Sequence, residues 1–193
     1  MPSRNIILSA GHYYHIYNKA VSDNLLFIEE RNYHFFLSKI LLYLGSTAKL
    51  LAYCLLPNHY HLLIQLKEHN LPKSMQKLAL SYTVPFNRIY NRTGHLFQGP
   101  YRLKSVDDTR YLVHLSRYIH LNPVAAKLVN KSEDWNFSSM REYVGMRSSN
   151  YINPRIVLDI MDDKAGSSLV EKQRDYKNFV EDWDPDYMSF TQK

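Results

Sequence analysis

The fold is decided by the stretch LAYCLLPNHYHLLIQL, residues 51–66, in which two apolar runs flank a Pro57-Asn58 pair. Proline and asparagine favour tight turns, because proline presets one backbone dihedral angle and asparagine hydrogen-bonds to its own backbone. The two runs are therefore predicted to be neighbouring antiparallel strands, over 49–57 and 59–67, that form a hairpin. The segments on either side of the hairpin must then supply the elements that cover its apolar side chains.

Strand and helix signals alternate along the rest of the chain. Aromatic-rich runs predict strands, whereas apolar residues at three- and four-residue spacing predict helices. In chain order, the predicted elements are a strand (12–21), a helix (29–45), the hairpin, a helix (71–94), a strand (95–106) and a helix that begins at 107. This order predicts an α+β, ferredoxin-like fold with one antiparallel sheet, two helices on one of its faces and an added last helix.

Two prolines set the expected ends of helices. Pro85 is expected to kink or interrupt the helix over 71–94, because an interior proline removes a backbone donor. The last helix is expected to end near His120, because the residue before Pro123 is biased away from helical geometry. Residues 131–150 read as polar loop, and the chain beyond them can form one or two short helices.

The composition indicates one domain with an unevenly charged surface. The chain has 193 residues, of which 45% are apolar, enough for a real core. Residues 1–155 contain 19 Lys and Arg against 9 Asp and Glu, whereas residues 156–193 contain 5 against 9. A basic body with 16 tyrosines in the chain favours a nucleic-acid partner, and a solvated basic surface is the alternative. The acidic end segment could compete with nucleic acid by folding over this body.

Cysteine content and hydropathy bound the class of protein further. Cys54, the single cysteine, excludes an internal disulfide and a cysteine-based zinc site, and its apolar surroundings predict a buried thiol. The amino-terminal stretch lacks the apolar core of a signal peptide, and no run approaches the ~20 apolar residues of a membrane span. The sequence therefore predicts a cytoplasmic protein without a membrane partner.

His59 and His61 lie two residues apart in the second hairpin strand, so they share one face of the sheet. The alternating residues from Tyr60 to Leu66 point to the opposite face, which is predicted to be the core under the helices. The histidines are then expected on the open face, where two imidazoles can share one divalent ion. Surface or hydrogen-bonded histidines are the commoner explanation, and two histidines are too few for a closed zinc site. A metal site therefore needs a third ligand from elsewhere.

The segment LSRYIHLNPV, residues 115–124, supplies the best third ligand. Tyr118 and Asn122 are four residues apart and meet on one face of a helix. An Asn carbonyl would complete a His-His-Asn set with open positions, which suits Mg²⁺ or Mn²⁺ acting on a phosphodiester. A tyrosine beside a metal-bound phosphate can attack it and form a phosphotyrosine. Taken alone, a tyrosine such as Tyr118 is more often a core or interface residue than a nucleophile, and Asn122 before Pro123 is usually a turn or helix-end residue.

Three ordered motifs carry a specific resemblance to a known family. They are PNHYHLLIQL (57–66), GHLFQGPYRLKSVDD (94–108) and YLVHLSRYIHLNPVAAKLV (111–129). With this spacing the chain resembles the single-tyrosine HUH transposases, in particular the REP-associated tyrosine transposases, from about residue 10 to residue 145.

The resemblance implies a ferredoxin-like catalytic domain that cuts and rejoins single-stranded DNA with Mg²⁺ or Mn²⁺ as cofactor. It implies that His59 and His61 bind the metal, that Asn122 helps to hold it, and that the added helix carries the nucleophile, Tyr118. This tyrosine would become linked to a 5′-phosphate and release a 3′-hydroxyl. His114, one turn before Tyr118, is a candidate auxiliary ligand or proton acceptor, although a surface histidine is favoured.

The resemblance also suggests how the chain is divided and what it binds. Residues 1–145 are predicted to be the HUH single-tyrosine catalytic domain, and 146–193 an acidic extension with short helices and a frayed end. The expected partner is single-stranded DNA that contains a hairpin, and a homodimer stays open because relatives act as monomers or dimers.

Two groups of residues could contact this DNA. In the first strand Tyr13, His15 and Tyr17 share one side, and Tyr14, Ile16 and Asn18 share the other; the set that faces outward could stack unpaired bases. The candidate phosphate contacts are basic residues: Lys73, Lys77, Arg88, Arg92, Arg102, Lys104, Arg110 and Arg117.

Two other functions stay open on the sequence alone. A binding module for hairpin DNA or RNA could use the same sheet without catalysis, and a metal-dependent nuclease could use water as its nucleophile. The intact set of His59, His61, Tyr118 and Asn122 argues against the binding module, because a decayed enzyme need not retain all four. Replacing Tyr118 with phenylalanine separates the three functions.

Overall fold

The computed structural model describes residues 7–162 and 166–183, which form one sheet and six α-helices. The strands are β1 (Tyr13–Lys19), β2 (Ala48–Leu56), β3 (His59–Leu66) and β4 (Arg102–Val106). The helices are α1 (Glu30–Leu44), α2 (Leu71–Ile89), α3 (Thr109–Ala125), α4 (Met140–Tyr143), α5 (Arg155–Met161) and α6 (Leu169–Glu181), with a short 3-10 helix at Ser132–Asp134.

The sheet has the strand order β2-β3-β1-β4, and every neighbouring pair is antiparallel. The predicted hairpin is confirmed, because Leu56 at the end of β2 pairs with His59 at the start of β3. The two halves, β1-α1-β2 and β3-α2-β4, interleave in the sheet as the predicted ferredoxin-like fold requires. Within β3, side chains alternate between the two faces, and this alternation fixes which residues enter the core.

One face of the sheet packs on α1 and α2, as predicted. Tyr60, Leu62 and Ile64 of β3 are buried on this face. The ring of Tyr60 lies 5.1 Å from that of Phe36 on α1, and Phe36 lies 4.8 Å from Tyr82 on α2. Burial of these large apolar side chains is the main stabilising contribution of this layer, because it removes their surface from water.

The opposite face is not open at the centre of the sheet, so this part of the sequence-based expectation was wrong. Helix α3 packs against β2 and also contacts β3 and β4. Leu115 and Ile119 of α3 and Leu63 of β3 are buried in this second layer. The physical reason is that α3 carries its own apolar stripe, which needs a surface to cover it. The sheet is therefore covered on both faces, and the cleft described below lies on its β1 and β4 side.

Pro85 does not interrupt its helix, and the last helix does not end near His120 before Pro123 as predicted. α2 continues through Pro85 to Ile89, and α3 continues through Pro123 to Ala125. An interior proline costs a helix about 3 kcal/mol or more, but burial of neighbouring side chains can exceed that cost. The consequence for the site is direct, because the extra turn of α3 keeps Asn122 helical.

The strand predicted over 95–106 is shorter in the structure. β4 spans only Arg102–Val106, and Phe97 makes an isolated bridge to Ala20. Between them the chain forms a loop in which the Asn18 amide donates a 3.0 Å hydrogen bond to the Gly99 carbonyl. This loop stands beside the end of β1 and forms one wall of the cleft described below.

The two short helices predicted near the end of the chain are confirmed as α5 and α6, and both pack on α3. Segment 137–139 lies along the outer edge of β2, where the Leu55 amide donates to the Phe137 carbonyl. Cys54 is buried, as predicted. The frayed end expected after residue 183 lies outside the described residues. In the part of the chain that the structure describes, no helix is long and apolar enough to cross a membrane.

A buried polar network fixes α3 between the sheet and α6. The Tyr176 hydroxyl of α6 lies 2.8 Å from Ser116 Oγ and 2.8 Å from His120 Nδ1. On the other side of the same ring, His120 Nε2 lies 2.8 Å from Ser139 Oγ, which accepts a 2.9 Å hydrogen bond from the Tyr53 amide. Because these groups are buried, each would cost free energy if its partner were removed. The network therefore fixes the rotation of α3 about its own axis.

Replacing Tyr176 with phenylalanine removes the hydroxyl that Ser116 and His120 share. The substitution is expected to lower the free energy of unfolding by about 1–3 kcal/mol, measured by urea denaturation, because it leaves buried polar atoms without a partner. The matched control is Tyr151→Phe, since Tyr151 is exposed, and it should change that free energy by less than about 0.5 kcal/mol. Equal effects of the two substitutions would show that the network does not stabilise α3.

Candidate active site

The histidine pair lies at the mouth of a cleft of about 600 Å³ between the end of β1, the start of β3 and β4. His59 is half-buried and His61 is buried, and their rings meet at 89° with centroids 5.2 Å apart. The cleft is lined by His15, Tyr17, Asn18, Lys19, His59, Tyr60, His61, Gln98, Gly99, Pro100, Arg102, Lys104 and Tyr118. Histidines, tyrosines and basic side chains therefore share one concave surface, which is the arrangement expected of a binding site.

Helix α3 brings Tyr118 to the histidines of the same chain. The Tyr118 ring stands edge-on to His61, with centroids 5.6 Å apart and an interplanar angle of 86°. Tyr118 is only 8% exposed, so its side chain has little contact with bulk water. The two residues are far apart in sequence, and their contact depends on the packing of α3 across the sheet.

Asn122 lies one helical turn after Tyr118 and links it to the histidines. Its side chain lies close enough to the side chains of His59 and Tyr118 to influence the pKa of both. Its amide nitrogen also donates a 2.7 Å hydrogen bond to the Tyr118 carbonyl. The structure thus brings together all four residues that the sequence placed in one site: His59, His61, Tyr118 and Asn122.

Burial keeps the imidazoles of the cleft neutral. Burial lowers the pKa of His61 well below its ordinary value, and the neighbouring His15 and His59 act in the same direction. The pKa of His59 is also lowered by burial, against the opposing effect of the Asn122 side chain. A neutral imidazole is the form that binds metal ions. The pKa of Tyr118 is raised by burial, while the Asn122 side chain acts to lower it.

The donor set fits a divalent cation held at an open site. Among residues 7–162 and 166–183, no group of three or more His, Cys, Asp or Glu side chains is arranged to hold a metal ion. A metal site here would consist of two imidazoles and the carboxamide of Asn122, which would leave positions for phosphate oxygens or water. Neutral nitrogen and oxygen donors of this kind suit Mn²⁺ more closely than Mg²⁺, which prefers oxygen ligands.

His15 belongs to the cleft, and the sequence analysis gave it no role in metal binding. Its Nε2 lies 2.9 Å from Nδ1 of His61, and the centroids of the two rings are 5.1 Å apart. Burial, with a smaller effect of Lys104, lowers the pKa of His15 to about 3. The sequence places His15 on the same side of β1 as Tyr17, but only the register of β1 with β3, in which Tyr17 pairs with His61, brings His15 to His61. Tyr14 and Ile16, the other set, are buried in the core.

Of the eight basic residues predicted to contact phosphates, Arg102 and Lys104 line the cleft, and Lys19 joins them without having been predicted. Four others, Lys73, Lys77, Arg88 and Arg110, are exposed outside the cleft lining. Arg92 donates a 2.8 Å hydrogen bond to Asn24 Oδ1. Arg117 is buried, where it donates to the Asp182 carbonyl and stacks over the Phe179 ring of α6 at 4.5 Å.

The other two histidines of α3 face away from this group. His120 points into the buried network behind α3, as the helical spacing predicted. The ring of His114 lies 5.4 Å from that of Phe179, on the α6 side of the helix. The structure therefore does not bring His114, the candidate auxiliary group, to the four residues above.

The chain is similar to one protein family and to solved structures. The family model described as "Transposase IS200 like" matches residues 12–122. A REP-associated tyrosine transposase, solved with a REP hairpin, superposes with a TM-score of 0.65 at 16% identity, over 78% of this chain and 96% of that chain. The tRNA(His) guanylyltransferase from Saccharomyces cerevisiae gives a TM-score of 0.45 at 9% identity, over 89% of this chain and 79% of that chain. No curated sequence matches.

Proposed function

This chain belongs to the IS200-like transposase family, and on that premise we propose that it cuts and rejoins single-stranded DNA with Tyr118 as nucleophile. One observation carries the proposal: Tyr118 and the two histidines line a single cleft, and Asn122 lies beside them one helical turn after Tyr118. We assign 1–145 to the catalytic domain and 146–193 to an extension. The helices of that extension, α5 and α6, pack behind α3.

The proposed reaction is a reversible exchange of phosphodiester bonds. The Tyr118 oxygen attacks a backbone phosphorus, a bond forms between them, and the bond from phosphorus to the 3′-oxygen breaks. The phenol loses its proton, the leaving 3′-oxygen gains one, and Tyr118 keeps the 5′-phosphate. Attack by a 3′-hydroxyl on this phosphotyrosine restores a DNA strand and frees the tyrosine, so the same site both cuts and rejoins.

The side chains of the cleft have separate parts in this reaction. His59, His61 and Asn122 would hold a divalent cation, Mg²⁺ or Mn²⁺, which when bound polarises the phosphoryl oxygens. The Asn122 side chain favours ionisation of Tyr118, against the burial that opposes it. Arg102 and Lys104 hold the flanking phosphates by charge.

We further propose a hairpin next to the cleavage site as the form of the substrate. The similar REP-associated transposase was solved with a REP hairpin, and the cleft here is lined by two basic residues of β4, Arg102 and Lys104. Because one chain supplies all four groups, the proposed chemistry does not require a residue from a second copy, although a homodimer would be compatible with it.

The central test is replacement of Tyr118 with phenylalanine. Wild-type protein incubated with labelled hairpin-containing single-stranded DNA and Mn²⁺ is expected to carry label on a denaturing gel, and EDTA should abolish that band. Tyr118→Phe should lose the band completely and retain DNA binding, because only the attacking oxygen is removed. Tyr43→Phe, on α1 at the opposite face of the sheet, is the matched control and should behave as wild type.

Other outcomes of this test identify the alternative functions. Metal-dependent cleavage that survives in Tyr118→Phe would contradict the tyrosine nucleophile and favour a nuclease that uses water. Binding without cleavage in the wild type, on DNA whose hairpin is bound tightly, would favour a binding module.

Arg102 and Lys104 line the cleft and are proposed to contact DNA phosphates. Changing either to glutamine should weaken binding of single-stranded DNA and reduce the slope of log K against log salt by about 0.7, the effect of losing one phosphate contact. The control is Lys49→Gln, because Lys49 is exposed on β2, at the opposite edge of the sheet. The measurement is fluorescence anisotropy over a range of salt concentrations. An equal loss of slope in Lys49→Gln would contradict this path for the DNA.

A further inference from the structure

Behind the proposed metal ligand His61 stands a second buried histidine. Nε2 of His15 lies 2.9 Å from Nδ1 of His61, and the exposed fractions of both residues are 6%. The planes of the two rings are inclined by only 21° and their centroids lie 5.1 Å apart, so the nitrogens face each other nearly in the plane of the rings. A nitrogen–nitrogen contact of this length between imidazoles is a hydrogen bond that contains one proton.

The position of that proton decides whether His61 can bind a metal ion through its other nitrogen. If Nδ1 of His61 donates to His15, then Nε2 of His61 carries a free lone pair in the neutral ring. If His15 donates instead, the proton of His61 is on Nε2 and blocks it. Histidines that ligate metals almost always donate their other N–H to a second group, which fixes the tautomer and the ring orientation.

We propose that His15 is a positioning residue that accepts the Nδ1 proton of His61 and so presents Nε2 of His61 to the metal ion. The inference rests on the proposed function only in taking His61 as a metal ligand. His15 itself need not touch the metal or the DNA, because the lone pair of its Nε2 is used by His61.

The surroundings of His15 suit a fixed acceptor. Its ring is stacked on Tyr17 at 4.9 Å, and it stands edge-on to Tyr118 at 6.4 Å. Both β1 and β3 are central strands of the sheet, and the pairing of Tyr17 with His61 fixes His15 one step along the same face. His15 is therefore held by the sheet, and His61 is oriented by a group that cannot easily move away.

The first measurement is Mn²⁺ affinity without DNA, followed by the electron paramagnetic resonance signal of free Mn²⁺. His15→Phe keeps an aromatic ring against Tyr17 but removes the acceptor, so the affinity should fall by about 10–100-fold. His15→Gln retains an acceptor oxygen and should recover most of that loss. His34→Phe is the control, because His34 is exposed on α1 at the opposite face, and it should leave the affinity unchanged.

The second measurement reads the tautomer directly. Nitrogen-15 chemical shifts of His61 in the metal-free wild type should show a protonated Nδ1 and an unprotonated Nε2. In His15→Phe the same spectrum should show a mixture of tautomers. A merely structural effect of the substitution would not change this ratio while the protein stays folded.

Three results would overturn the proposal. The first is a wild-type spectrum with the proton on Nε2 of His61, and the second is an unchanged Mn²⁺ affinity in folded His15→Phe. The third is a loss as large as that of His61→Ala in both the Phe and the Gln variants, which would make His15 a direct ligand. None of these results depends on DNA cleavage, so failure of this inference is distinct from failure of the tyrosine mechanism.

Discussion

The candidate site depends on one packing constraint, the position of α3 across the face of β2 and β3. Two of the four central groups, Tyr118 and Asn122, come from this helix, and the two histidines come from the strand beneath it. A rotation of α3 by one residue, about 100°, would carry Tyr118 away from His61. Apolar contacts alone would resist such a rotation of α3 less than hydrogen bonds do, because hydrogen bonds depend on direction. The buried hydrogen bond between His120 and Tyr176, on the far side of the helix, therefore helps to hold Tyr118 and Asn122 at the histidines.

The same packing fixes where the described part of the chain's acidic end segment lies. Helices α5 and α6 pack on α3, and none of the described residues of this segment lines the cleft. Arg117 was predicted to contact phosphate, but it donates to the Asp182 carbonyl and stacks over the Phe179 ring. The described part of the segment therefore packs against the helix that carries the proposed nucleophile.

Much of the fold and the core of the site could be predicted from local rules. The period of two in β3 placed His59 and His61 on one face, and the helical period placed Asn122 beside Tyr118. Two features depended on tertiary contacts that no local rule contains. Helix α3 continues past Pro123, although a residue before a proline disfavours helical geometry. His15 is a neighbour of His61 only through the register of β1 with β3. The sheet face that was expected to be open is covered by α3, and a cleft is left beside β1 and β4.

The most direct test of this account is a mixing experiment with two inactive variants. His61→Ala lacks the histidine and Tyr118→Phe lacks the nucleophile, and each is assayed alone and mixed for the covalent DNA complex with Mn²⁺. If each chain builds its own site, as the contact between Tyr118 and His61 indicates, every site in the mixture lacks one group and no complex forms. Recovery of the covalent complex on mixing would show that the tyrosine of one chain works with the histidines of another. That result would contradict the central claim that α3 completes the site of its own chain.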